Sequence, residues 1–323
     1  MADYQSEYTG LQIDKAVAAG LELKESPQLA LANLGGRPNR NIARNPDFKI
    51  NQRNFTSDNW TSGYGPDGWV STGGGHLEYS GGSVKTINQY LHQYYDLGEI
   101  DAGIYTISAF CTGNISGDLG FWGGESAKYQ STNYANGFAS ATVEITEDMV
   151  NPTKKGYLYI LCENSGTIST VKLEKSPFQT LAYKDFNEDW QSFETLNYVE
   201  ELERNLYYQY VMRPLSGGTS EYGHFALLLA TTANTLRGLV SIPTIMRTTP
   251  AASIVKNESL KVIKQGTQDW STAYASAIFV YSAVGNVLHI NLELNESVLE
   301  VGSRYELRTF EDRDCAIIFD ANL

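Results

Sequence analysis

The sequence predicts a mainly β protein: two β-sandwich or jelly-roll-like domains, with a short N-terminal helix and a linking helix. Three observations predict it. Tyrosine and glycine are abundant, at 21 and 29 of 323 residues, against 4 Met; tyrosine suits a pleated, half-buried surface and glycine suits turns. Apolar and polar residues alternate along several short runs, the period of a strand with one buried face. Clusters of Gly, Ser and Asn separate those runs, as between the short strands of a sandwich.

Taken in order, residues 8–23 read YTGLQIDKAVAAGLEL. Thr9 and Gln12 have capping-box spacing, and Ile13, Val17 and Leu21 form one apolar stripe. So short a helix is marginal alone in water and is expected to dock. Pro27 and the Gly35–Pro38 turn then punctuate the chain, so an attachment segment is placed at 1–36. From 37 to 177 the reading is β, with strands at 104–111 (IYTISAFC), 141–145 (ATVEI) and 157–162 (YLYILC). Two Gly-rich aromatic stretches, 60–79 and 121–138, read as long loops, the kind that carries function. The third segment, 178–323, opens with a linking helix at 198–210, YVEELERNLYYQY. Val199, Leu202, Leu206 and Tyr210 line one side of it, Glu200 and Arg204 are spaced to pair, and Pro214 stops it. A β-rich tip follows. In 287–294, VLHINLEL, Leu288, Ile290, Leu292 and Leu294 fall on one face, and Val287, His289, Asn291 and Glu293 on the other. Runs at 225–231, 276–284 and 315–319 are further strands.

Charge excludes several functions. The net charge is −13, which disfavours phosphate backbones and anionic lipid as partners. Cys111, Cys162 and Cys315 are an odd, widely spaced set, neither a disulfide framework nor a zinc site. Cys111 and Cys162 sit in apolar runs and read as buried small hydrophobes. The N-terminus has no apolar signal core, and no run is long enough to span a bilayer. No catalytic residue, metal or cofactor is expected. His76, His92, His224 and His289 show no ligand spacing, and Glu311, Asp312 and Asp314 read as a turn.

Two patterns point to function. Aromatic rings cover the C–H faces of sugars, and nearby Asn, Asp, Glu or Gln can meet the hydroxyls. The stretch 121–138 supplies Trp122, Tyr129 and Tyr134 among Glu125, Gln130, Asn133 and Asn136; the stretch 59–69 supplies Trp60, Tyr64 and Trp69 with Asp67. Trp122, Tyr129, Tyr134, Trp60 and Tyr64 are therefore the candidate glycan-binding residues. Tyr90, Tyr94 and Tyr95 would be split across two strand faces and read as structural. The stripes Ile13, Val17, Leu21 and Val199, Leu202, Leu206 are candidates for an oligomer seam, which a threefold axis would bury.

A family resemblance adds to this. NRNIARNPDF at 39–48, Gly68-Trp69, IYTISAF at 104–110 and VKLEK at 171–175 resemble the carbohydrate-binding-module-like jelly rolls of phage tail proteins. The helix 198–210, LRGLVSIPTIMRTTP at 236–250 and IIFDANL at 317–323 resemble the C-terminal domain of bacteriophage and prophage tail fibres, and YTGLQID resembles the helical segment that precedes fibre modules. The resemblance implies a homotrimeric receptor-binding protein of the virion, made in the host cytoplasm. It would be joined to other tail or baseplate proteins through its N-terminus, and would recognise a host cell-surface glycan or protein. It places Trp69 in the core. One departure stands out. Where the family often carries Asp two positions before the closing-strand Val, this chain has Ser169, which weakens a family-type Ca²⁺ site although Asp47 and Glu174 remain.

Overall fold

The computed structural model describes residues 39–321, apart from 97–99, 114–115, 124–125, 134–136, 151–154, 163–164, 185–188, 193–196, 214–223, 268–269 and 310–314. Ile13, Val17, Leu21, Tyr134, Pro214, Glu311, Asp312 and Asp314 lie outside the described residues. The chain divides into two units, Met1–Asn51 with Phe55–Tyr198, and Gln52–Asn54 with Val199–Leu323. Both are mainly β, as the alternation predicts.

The first unit is a sandwich of two six-stranded antiparallel sheets. One sheet runs in the order β1 (Ser57–Trp60), β4 (His76–Ser80), β5 (Ser83–Ile87), β12 (Gly166–Glu174), β7 (Gly103–Gly113), β10 (Phe138–Ile145). The other runs β2 (Gly63–Tyr64), β3 (Val70–Thr72), β6 (Gln89–Asp96), β11 (Lys155–Cys162), β8 (Ser116–Gly123), β9 (Ser126–Asn133). Alternate residues build the core between them: Ile107, Ala109 and Cys111 of β7 and Ala141, Val143 and Ile145 of β10 belong to the same cluster as Leu91, Leu119, Phe121, Leu158 and Ile160 from the second sheet. In β12 the pairing shifts between Ile168 and Thr170. This bulge at Ser169 lets Ile168, Val171 and Leu173 all reach the core, although strict alternation would separate them. A hairpin of β13 (Ala182–Lys184) and β14 (Trp190–Ser192) completes the unit.

The stretches 60–79 and 121–138, expected as long loops, instead carry strands β2 to β4 and β8 to β10. Glycine misled the sequence reading. At Gly123 an added Cβ would meet the Met149 carbonyl at 2.5 Å, so the strand passes there only without a side chain.

Residues 39–50 tie the two sheets together. Asn41 donates its side-chain amide to the Val171 carbonyl at 3.0 Å and accepts from the Leu173 amide at 3.1 Å. Arg44 reaches the other sheet, its backbone amide donating to Gln93 Oε1 at 2.7 Å and its guanidinium to the Tyr94 carbonyl at 2.7 Å. Asn45 is fully buried with φ at +45°, in the left-handed region that Asn tolerates. Its amide group donates to the carbonyls of Ile50 and Asp67 and accepts from the Ile50 N–H, at 2.7, 3.0 and 2.8 Å. Its carbonyl accepts from Trp69 Nε1 at 2.9 Å. Trp69 is fully buried, its ring 5.0 Å from that of Phe48, the core place that the sequence motif implies.

The residues considered for a cation are otherwise engaged. The buried Glu174 carboxylate accepts from the Thr180 N–H and hydroxyl, both at 2.5 Å, and Asp47 pairs with Lys49 at 2.7 Å. Among the described residues no group of three or more His, Cys, Asp or Glu could hold a metal ion. Cys111 and Cys315 are buried.

In the second unit, six strands close into a barrel in the order β16 (His224–Ala230), β17 (Thr235–Ser241), β21 (Val287–Leu294), β20 (Trp270–Val284), β19 (Leu260–Lys264), β22 (Arg304–Thr309). Leu288, Ile290, Leu292 and Leu294 of β21 fill its interior, as the alternation predicts. Beside it, β15 (Gln209–Met212), β23 (Ala316–Asp320) and β18 (Ala251–Val255) form a three-stranded sheet. The linking helix α1 covers Tyr198–Leu206 and is shorter than its apolar pattern suggests, because pairing with β23 draws Tyr210 into a strand. It buries Glu201 and Asn205, and Arg204 bonds Glu201 rather than Glu200. Val199 is 61% exposed, while Leu202 and Leu206 are half-buried.

Asn45→Ala strips hydrogen bonds from buried backbone groups and leaves Ala in a left-handed conformation. The expected loss is about 3 kcal/mol of stability, read from urea unfolding followed by tryptophan fluorescence. A loss below about 1 kcal/mol would show that Asn45 does not secure the opening segment.

Candidate functional site

The outer face of the second sheet is set by what its inner face must do. In β6, Leu91 and Tyr95 enter the core with Gln93 buried between them, so Tyr90, His92 and Tyr94 are turned outward. In β11, Leu158 and Ile160 are fully buried, which turns Tyr157 and Tyr159 outward. In β8, Leu119 and Phe121 are fully buried, and Asp118, Gly120 and Trp122 take the other side.

Register then lines these residues up across the sheet. One row runs Tyr94, Tyr157, Trp122, Ala127; the next runs His92, Tyr159, Gly120, Tyr129. Trp122 stacks parallel to Tyr157, centroids 5.9 Å apart with 5° between the planes. His92 lies 4.6 Å from Tyr157 on its other side. Tyr159 lies 6.3 Å from Tyr129 and 6.2 Å from Tyr90. Gly120 makes the second row possible: a Cβ there would stand 2.7 Å from Tyr159 Cζ and 2.6 Å from Tyr129 Cβ. Tyr159 therefore crosses β8 over a position with no side chain.

The rings enclose an open groove of about 450 Å³, with Thr72 and Gly73 at one side and Asp118 in its wall. Burial raises the phenol pKa of Tyr157 and, more strongly, of Tyr159, where Asp118 adds to the effect. Both phenols stay protonated at neutral pH. Burial lowers His92 to about 4, so its ring is neutral; its Nδ1 lies 3.1 Å from the Thr72 hydroxyl. The groove thus offers flat uncharged rings, phenol hydroxyls and the Asp118 carboxylate. It can cover an apolar ring face and exchange hydrogen bonds at the edges.

Of the residues expected from sequence, Trp122 and Tyr129 meet in this groove, 38% and 56% exposed. Trp60 does not join them. It is 2% exposed, its Nε1 donates to the Gly63 carbonyl at 2.9 Å, and its ring packs edge-on to Phe55. As the last residue of β1 it belongs to the opposite sheet, and its indole fills the core. Tyr64 is half-buried on β2 and does not line the groove. Tyr90, His92, Tyr157 and Tyr159 were missed as site residues. Their signal lay in the pattern: Tyr157 and Tyr159 alternate with core aliphatics, as Tyr90, His92 and Tyr94 do. The predicted split of the tyrosines in β6 is observed, with Tyr95 in the core and Tyr90 on the groove.

In comparisons with known proteins, no family model matches the chain and no curated protein matches it. Among solved structures, the module TmCBM61 in complex with β-1,4-galactotriose is 14% identical with a TM-score of 0.25, over 42% of this chain and 99% of its own. A candidate sugar-binding protein from Bacteroides thetaiotaomicron is 12% identical with a TM-score of 0.24, over 42% of this chain and 100% of its own. The N-terminal CBM22-1–CBM22-2 tandem domain of Xyn10C from Paenibacillus barcinonensis is 11% identical with a TM-score of 0.26, over 88% of this chain and 99% of its own.

His92 makes stability depend on pH. An unfolded histidine protonates near 6.5, whereas folded His92 does so only near 4. Its contribution is therefore complete above pH 6.5, falls as the pH drops through this window, and is lost below about 4. Wild type should lose up to about 3 kcal/mol relative to His92→Gln between pH 7 and pH 4. Parallel denaturation curves for the two proteins across that range would contradict the assignment.

Proposed function

We propose that the first unit is a carbohydrate-binding module that holds a glycan on its outer aromatic face. In this reading the whole chain is a phage tail-fibre receptor-binding protein that attaches the virion to a host-cell surface glycan. The observation that carries the glycan reading is the continuous ring surface of Tyr157, Trp122, Tyr159 and Tyr129, with Trp122 and Tyr129 open to solvent. An exposed aromatic patch bordered by polar groups suits pyranose rings, which have apolar faces and hydroxylated edges. Asp118 is the one carboxylate among the described residues lining the groove, whereas glycoside hydrolysis employs two. The reading is therefore of binding without chemistry on the ligand.

The virion role, the homotrimer and the N-terminal joint to tail or baseplate proteins rest on the motifs at 39–48, 198–210, 236–250 and 317–323. Trimerisation would place three grooves on one fibre, and avidity from several weak sites can exceed single-site affinity by orders of magnitude.

The test uses the full chain, its mass fixed by light scattering, on a glycan array and on bacterial cells. Trimers are expected. Trp122→Ala and Tyr129→Ala should each weaken glycan binding about tenfold, the loss of one stacking ring. Phe279→Ala removes an exposed ring from β20 and should leave binding intact. Loss with Phe279→Ala and retention with Trp122→Ala would move the site to the second unit and overturn the reading. Binding to virion parts without any glycan or cell would make the chain an adaptor.

A further inference from the structure

We infer that the aromatic groove sorts glycans by charge, accepting uncharged and amino-bearing sugars and rejecting those that carry carboxylate, sulfate or phosphate. This rests on the reading of the groove as a glycan site and specifies its ligand class.

The walls carry the argument. The faces of Trp122, Tyr129, Tyr157 and Tyr159 are the negative poles of their ring quadrupoles. They attract C–H groups and ammonium groups and repel anions. Asp118 adds a formal negative charge to the same wall. Recognition of carboxylate or phosphate normally employs Arg or Lys forks, or the N-terminus of a helix. Among the described residues lining the groove there is neither Lys nor Arg.

The pleat turns Lys128 away from the groove. Lys128 pairs across the strands with Phe121, which faces the core, whereas Tyr129 pairs with Gly120 on the groove side. Arg44 is spent on the Tyr94 carbonyl and packs over the Tyr95 ring from the inner face. Lys155 and Asp96 stand opposite each other one row beyond Tyr157 and Tyr94. His92 supplies no positive charge at neutral pH, because burial holds its ring neutral. At longer range the net charge of −13 opposes the approach of any anion. An anionic substituent would lose water in this groove and gain no counter-charge from the described lining residues. An ammonium group would find both a ring face and a carboxylate.

The test is a glycan array that presents matched oligosaccharides in neutral, de-N-acetylated, C6-carboxylated, sulfated and phosphorylated forms, probed with the full chain. Retained members should be neutral or amino-bearing. Adding a carboxylate to a retained glycan should cost at least tenfold in affinity, and that penalty should shrink as salt is raised. In Asp118→Asn the ratio of neutral to carboxylated affinity should fall at least fivefold, and so should the advantage of the amino form. Carboxylated or phosphorylated glycans that bind as well as their neutral partners would overturn the charge sorting and leave the glycan site standing. An Asp118→Asn protein of unchanged melting temperature and unchanged ratio would do the same. Retention of no glycan of any form would instead remove the glycan reading itself.

Discussion

A strand has two faces, and a core can use only one of them. That constraint governs the second sheet of the sandwich. Leu91 and Tyr95, Leu119 and Phe121, and Leu158 and Ile160 must all point inward to close the core. Each intervening side chain is then delivered to the outer face, where register sorts the rings into rows. A slip of one residue would drive apolar chains into water and polar phenols into the core, so the register of the groove is as secure as the core beneath it.

The groove is held from within as well as from the side. Behind His92 and Tyr94, the buried Gln93 accepts hydrogen bonds from the Arg44 amide and the Tyr95 hydroxyl, and it donates to the Arg44 carbonyl. The opening segment that carries Arg44 is anchored in turn on β12 of the opposite sheet by Asn41. Rings that already pack on one another, above a pinned strand, lose little freedom when a ligand arrives. Gly120 matters for the same reason: its missing side chain lets Tyr159 reach over β8.

Much of this fold was legible in the sequence. The strands at 104–111, 157–162 and 287–294 are observed, and the last buries the face that its alternation predicts. The core place of Trp69 was legible as well, through the motif resemblance. Two things were hidden. Glycine-rich segments read as loops, because a glycine that admits a neighbouring ring is written in the same letter as one that makes a turn. The closure of the second unit into a barrel was hidden too, since alternation states which face is buried and not which strands meet at the seam.

The site was half legible. Trp122 and Tyr129 stood out because aromatic residues amid Gly, Ser and Asn are conspicuous. Trp60 stood out for the same reason and lies in the core, because local composition does not reveal which way a strand faces. Tyr157 and Tyr159 were concealed by their aliphatic neighbours, and only pairing with β6 and β8 brings them to the groove.

The central claim is that the outer face of this sheet is where a glycan sits. Hydroxyl-radical footprinting of the full chain, alone and saturated with the glycan it retains, tests that claim at single rings. The account predicts that bound glycan protects Trp122 and Tyr129 and leaves Phe279 and Tyr281 of the barrel as reactive as before. Equal reactivity of Trp122 and Tyr129 in both states, with glycan demonstrably bound, would contradict it.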